Sequence, residues 1–271
     1  MKQDGGERIV FQTSSRHGAC EVLMKVRRNR WLVRISKHTG ESDAARAVET
    51  LVNGFRASGE TLNTLVRQLG VQEVLSEPLP FDGGVYEVQG RRIIKINSLA
   101  PVIRQTFTLA HEVGHLILER SVRGTSSCSA DNDLERACNC VAAELLMPAQ
   151  QTKRVAQDLG KQSPEKLSLV ANYFAVSLQT AAQRLYDLNL WKMSMGMWKC
   201  DSTPTQKWFV GKRPWNTESP SFAAFDLAVE SRSPVYTTER FAKGAYTELV
   251  ALKAHHIGKK FVIAVVATAD D

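Results

Sequence analysis

Two histidines four residues apart, His111 and His115, enclose an acid at Glu112 in the run Thr106-Phe107-Thr108-Leu109-Ala110-His111-Glu112-Val113-Gly114-His115-Leu116-Ile117-Leu118. On a helix, residues four apart share a face, so the two imidazoles can grip one metal ion. Glu112 then projects close enough to take a proton from water held by that metal. The chemistry implied is metal-assisted hydrolysis. Pentads of this kind also arise by chance on buried helices, but the apolar residues on both sides place this one on a helix sunk in a core.

A catalytic zinc takes three protein ligands and keeps one position open for water. The third ligand must come from another element, and the next helical block offers Glu135 and Glu144. Glu135 is the better placed, because Asn139 lies one turn further on and can hydrogen-bond a ligating side chain from behind. Glu144, set among Val141, Ala142, Ala143, Leu145 and Leu146, suits a supporting role of the same kind. An ordinary exposed helix face is the plain alternative for both acids.

Several elements must position these residues. Residues 20–36 read as a β-hairpin: Val22, Met24 and Val26 alternate, Arg27-Arg28-Asn29-Arg30 turns the chain, and Trp31, Val33 and Ile35 alternate again. Ala45, Val48, Leu51, Val52 and Phe55 mark an amphipathic helix; Leu62, Leu65, Val66 and Leu69 mark a second, ending near Gly70. A second hairpin runs through Val85–Val88, a turn at Gln89-Gly90, and Arg92–Asn97. The pentad helix follows over Pro101–Arg120, then a polar loop over Ser121–Asp133. A helix over Leu134–Met147 is closed by Pro148, which cannot continue a helix interior.

Ser163 and Pro164 are types that cap and open a helix, and Leu167, Val170, Ala171 and Phe174 line one side of it. A second short helix through Leu178, Ala181, Ala182 and Leu185 completes a helix-turn-helix. Beyond Leu190 the chain turns to Trp, Pro, Gly and β-branched residues, and Phe261–Ala267 reads as a buried strand. The expected class is α+β: a zincin-like domain at 1–150, a helix-turn-helix segment at 151–191, and a small α+β module at 192–271.

The chain of 271 residues is long enough for a substantial core. No run approaches the roughly 18 apolar residues of a membrane span. The N-terminus lacks the charged-then-apolar pattern of a secretory signal. Five cysteines without regular spacing (Cys20, Cys128, Cys138, Cys140 and Cys200) favour free thiols and a cytoplasmic setting.

The net charge of +7 is uneven. Residues 1–40 hold nine Lys/Arg against three acids, while 41–148 hold ten against fourteen. The basic excess therefore lies outside the candidate catalytic block. Arg27, Arg28, Arg30 and Arg34, with Lys212 and Arg213, are the cations best suited to a nucleic-acid contact, single-stranded DNA in particular. Such a contact would be salt-sensitive. A modest basic excess that merely keeps the protein in solution is the bland reading.

Arg104-Gln105-Thr106-Phe107-Thr108-Leu109-Ala110-His111-Glu112-Val113-Gly114-His115 resembles the R-x-R-F-T-L-A-H-E-L-G-H pattern of the ImmA/IrrE metallopeptidases. Glu135-Arg136-Ala137-Cys138-Asn139-Cys140-Val141-Ala142-Ala143-Glu144-Leu145-Leu146-Met147-Pro148 is similar to that family's E-x-x-A-N-x-F-A-A-E-L-L-M-P block, and Asp82-Gly83-Gly84 also fits. Thr106, Cys138 and Val141 depart from the usual Arg, Ala and Phe. The resemblance is close over roughly 45–150, fair over Tyr173–Leu190 and weak beyond 192. It implies His111, His115 and Glu135 as ligands of zinc, with manganese as a second choice, and Glu112 as general base. Tyr86, His17 and His38 are available to stabilise an oxyanion, each more readily explained as structural or exposed.

The resemblance further implies a protease that cuts a helix-turn-helix repressor at one place, often in response to DNA damage or phage-related stress. Some members carry a GAF-like sensor domain where this chain has 192–271. Trp198, Trp208, Phe209 and Trp215 there could line a ligand pocket or stack on bases, with core packing the default for aromatics. The helix-turn-helix has only Lys166 and Arg184 as cations after Pro164, few for a DNA-reading element, so packing or substrate docking suits it better. Cys128, Cys138 and Cys140 bracket Glu135; a Cys128 thiolate on the metal's open position would hold the enzyme latent, though small buried cysteines are the commoner case. A competing reading keeps the fold only as the scaffold of a non-proteolytic sensor or transcription regulator. Intact His111, Glu112, His115 and Glu135 speak against it, because a scaffold has no need of the base.

Overall fold

The computed structural model describes residues 10–16, 19–26, 29–36, 61–122, 130–192, 194–201, 204–211, 223–243, 246–257 and 260–268. The chain divides into two compact units, Met1–Ala149 and Gln150–Asp271. The helix expected around Ala45–Phe55 lies outside the described residues, as do Arg27, Arg28, Cys128, Lys212, Arg213, Trp215, His17 and His38.

The first unit opens with an antiparallel sheet of β1 (Val10–Arg16), β2 (Ala19–Val26) and β3 (Asn29–Ser36), in that order. The expected hairpin is β2–β3, paired in register from Val26↔Asn29 to Ala19↔Ser36. Strand β1 was not expected: Ser, Thr, Gln and Arg fill most of it and mask any alternation. Helix α1 (Leu62–Gln68) is capped by Thr61, whose hydroxyl accepts from the Thr64 amide.

A second sheet, ordered β4-β6-β5, holds β4 (Val71–Glu77), β5 (Gly83–Val88) and β6 (Arg91–Asn97). Gln89 and Gly90 both take positive φ, 51° and 73°, which closes the β5–β6 hairpin at the dipeptide the sequence marked. Strand β4 runs parallel to β6 and escaped the pattern reading because only Val71 of it is buried. An edge strand exposed over most of its length carries no hydrophobic alternation to detect.

Helix α2 (Val102–Val122) packs on β5, β6 and helix α3 (Ala130–Leu146). Ala110, Val113 and Ile117 form its buried stripe, joined by Cys138, Val141 and Leu145 of α3 and by Ile94 of β6. That stripe follows the 3.6-residue period, so His111 and His115, one position round, emerge at the edge of the core. Both helices run further into the 121–133 segment than the pattern suggested, which shortens the expected loop.

The boundary between the units falls at the first residue of α4 (Ala149–Leu159), a helix the sequence reading did not anticipate; α5 (Pro164–Phe174) and α6 (Leu178–Asp187) follow in the second unit. Ser163 caps α5 with Pro164 in its first turn, and Ser177 caps α6. Ala175, with φ at 51°, turns the chain between them. An antiparallel sheet follows, ordered β8-β7-β11-β10-β9, from β7 (Ser194–Cys200), β8 (Pro204–Val210), β9 (Val235–Lys243), β10 (Tyr246–Ile257) and β11 (Phe261–Thr268). Helix α7 (Ala223–Ser231) covers one face; α5 lies against β10 and β11. Central strand β11 is buried on both faces over Val262–Val266, hence its unbroken apolar run. The whole is mixed α and β, and none of its helices is long and apolar enough to cross a membrane among the described residues.

Candidate metal centre

His111 and His115 rise from the middle of α2, four residues apart, and their Nε2 atoms stand 3.1 Å from each other. Glu135, on α3, brings one carboxylate oxygen to 3.2 Å from His111 Nε2 and the other to 3.1 Å from His115 Nε2. Ligand atoms of these three residues all lie within 4.8 Å of one another. The imidazoles are 16% exposed and the Glu135 side chain 53%, so the cluster is walled by the core on the histidine side and open beside Glu135.

The proton inventory shows what this arrangement asks for. Asn139 Oδ1 stands 3.0 Å from His111 Nδ1. A carbonyl oxygen accepts, so Nδ1 carries the proton and Nε2 presents a lone pair. That lone pair faces carboxylate oxygens, which also only accept. A cation or an imidazolium proton must sit among them. Burial, followed by the neighbouring His115, pushes the pKa of His111 below its usual value, against the imidazolium. A metal ion answers the need without that cost. Zinc bonds of about 2.0–2.1 Å in a tetrahedron separate ligand atoms by roughly 3.3–3.4 Å. The observed 3.1–3.2 Å separations fit that figure.

Glu112, next to the first histidine, is buried at 8% exposure. Glu144 is buried too, and its Oε1 accepts from the Ala149 amide at 3.0 Å, a bond within the first unit. Tyr86 lies on β5 with Lys95 Nζ 5.5 Å from its ring centroid. Arg30 and Arg34 lie on β3. Cys138 is buried and Cys140 exposed.

Around this centre the structure adds residues that spacing alone did not single out. Arg104, two turns before His111, pairs with Asp82 just ahead of β5. Its hydrogen bond holds the Asp82 carboxyl below the usual range, outweighing partial burial, with a smaller contribution from the charge of His111. Gly83 sits so near α2 that a Cβ on it would lie 2.7 Å from Thr108 Cγ2 and 2.6 Å from the Lys95 carbonyl oxygen. Asp82 and Gly83 thus seat β5 against the pentad helix. Their only signal in the sequence was the Asp82-Gly83-Gly84 pattern.

In the second unit, Arg184 is 8% exposed, and Lys166 Nζ donates to the Lys161 carbonyl at 2.8 Å. Arg184, one of the two cations on the α5–α6 pair, is thus largely withdrawn from the surface. Trp198 is fully buried, its ring 4.9 Å from that of Phe225, and Trp208 is 7% exposed. Both belong to the core, the default reading for aromatics.

Residues 60–186 match the peptidase M78 family model, described as the IrrE N-terminal-like domain. A search of the curated proteins finds no significant match. Among solved structures, the chain is similar to a Mycobacterium tuberculosis transcriptional regulator at 14% identity and a TM-score of 0.54, covering 84% of this chain and 76% of that one. At that identity the likeness is one of fold. Residues 60–186, which carry the His111–His115–Glu135 cluster, thus form a peptidase M78, IrrE N-terminal-like domain, in support of the ImmA/IrrE assignment.

Proposed function

We propose that this protein is a zinc-dependent endopeptidase that cuts a helix-turn-helix transcriptional repressor at one site. The observation that carries the reading is the convergence of His111, His115 and Glu135 on one point, with Asn139 behind His111. Zinc, or manganese in its place, would be held by those three residues and would supply Lewis acidity, polarising the scissile carbonyl and acidifying water. The Glu112 carboxylate takes the proton of the attacking water and returns it to the leaving amine. Asn139 keeps the His111 proton on Nδ1, so that Nε2 stays a ligand. Glu135, on the open side, borders the approach for an extended segment of substrate.

The repressor as substrate rests on the family resemblance. The solved regulator of similar fold is consistent with a role in transcriptional control. We further infer single-stranded DNA as an activating ligand, with Arg27, Arg28, Arg30, Arg34, Lys212 and Arg213 as its contacts, on the strength of the uneven charge. Residues 151–191 serve as the helix-turn-helix segment and 192–271 as the sensor module, in a cytoplasmic protein.

The test incubates the full chain, loaded with zinc, with candidate small helix-turn-helix repressors, sought first in the neighbouring reading frames. Mass spectrometry should find a single cut, and Glu112→Gln should keep the metal while cleavage falls by roughly two to four orders of magnitude. Metal retention with no cleavage by wild type or variant would favour the non-proteolytic scaffold, and equal cleavage by both would deny Glu112 the role of base.

A further inference from the structure

Gly114 lies between His111 and His115 in the middle of a 21-residue helix. Glycine is among the poorest helix formers, so its place there calls for a reason outside the helix. A Cβ built on Gly114 would stand 2.9 Å from Cys138 Cα, 3.1 Å from the Cys138 carbonyl oxygen and 3.2 Å from Cys138 Cβ. The nearest of these atoms belong to the α3 backbone, which cannot swing aside as the tip of a side chain would. Cys138 is fully buried.

The contact occupies a particular place in the site. His111 is three residues before Gly114 and His115 one after; Glu135 is three before Cys138 and Asn139 one after. Each residue of the cluster, and its support, thus lies within one turn of the point where the helices meet. We propose that Gly114 and Cys138 are positioning residues, whose backbone-to-backbone contact sets the α2–α3 separation and with it the affinity and choice of metal. The proposal rests on the metal-site reading above.

Magnitudes favour the idea. Ordinary contact begins near 3.4 Å, so a methyl group at 2.9 Å demands a local shift of about half an ångström. Metal–ligand distances tolerate only about 0.2 Å. A wedge that the core can absorb would therefore still spoil the triangle of ligand atoms. The displacement moves Glu135 away from both histidines, which penalises zinc more than an ion that accepts longer bonds.

The experiment measures Zn2+ and Mn2+ affinity by chelator competition on the full chain, with circular dichroism as the fold check. Wild type is compared with Gly114→Ala and with Ile94→Val, a core truncation in β6 away from the helix contact. We expect Gly114→Ala to remain folded, to lose roughly 10–100-fold in zinc affinity, and to shift the Mn2+/Zn2+ ratio toward manganese. Ile94→Val should lose stability and keep both affinities. Cys138→Val supplies the same wedge from α3 and decides the matter if Gly114→Ala does not fold. Wild-type zinc affinity in a folded wedge variant overturns the proposal, as does an equal loss in Ile94→Val. A wild-type chain that binds no zinc would instead sink the site reading itself.

Discussion

Asn139 Oδ1 lies 3.0 Å from His111 Nδ1, joining α3 to α2 on the side of the imidazole away from Glu135. The contact selects one tautomer of His111 and fixes the plane of its ring. Asn139→Ala removes both effects and leaves all three candidate ligands in place. Zinc affinity should fall about 10–100-fold, as for other residues that orient a metal-binding histidine. Chelator competition reads this directly, and an unchanged affinity would deny Asn139 that role.

The Asp82–Arg104 pair is about half exposed on both sides, at 48% and 56%, so its contribution is that of a surface pair, roughly 0.2–1 kcal/mol. Because Arg104 lowers the folded-state pKa of Asp82, the stabilisation is present above the unfolded value near 3.9 and is lost as pH falls through the lowered one. Asp82→Asn should therefore destabilise the protein slightly at pH 7, and the gap to wild type should begin to narrow below about pH 4. Urea denaturation at pH 7 and pH 3.5 tests the sign; a gap that widens in acid contradicts it.

Glu144 is 3% exposed and its carboxylate accepts from the Ala149 amide. Truncation to Ala strips the start of α4 of that acceptor and should cost about 1–3 kcal/mol. A denaturation midpoint like that of wild type would show that water satisfies the amide equally well.

Trp198 fills the space between the five-stranded sheet and α7, with Phe225 and Phe209 around it. Trp198→Ala should cost about 3–5 kcal/mol by opening a cavity. Were the indole instead a platform for bases, the variant would lose single-stranded DNA binding with little change in stability, a result that fluorescence anisotropy and thermal melts would separate.

Some of this protein was readable from its residues because the relevant physics is local. Helical spacing alone puts His111 and His115 on one face. Cap chemistry located the start of α5 at Ser163, apolar spacing disclosed α6, and Gln89-Gly90 marked a turn that both residues enter at positive φ. The unbroken apolar run of β11 disclosed a central strand. Strands β1 and β4 and helix α4 were not legible, since polar edge strands and short surface helices leave little hydrophobic period behind.

The rest depended on residues distant in sequence meeting in space. Glu135 was one of two acids that spacing allowed, and only the packing of α3 on α2 brings it to 3.1–3.2 Å from both imidazoles. The same packing sets Asn139 on His111 and presses Gly114 against Cys138. A sequence period reports which face of a helix is buried, but the distance between two buried faces follows from the side chains on both. Here that distance is set where Gly114 offers no side chain at all.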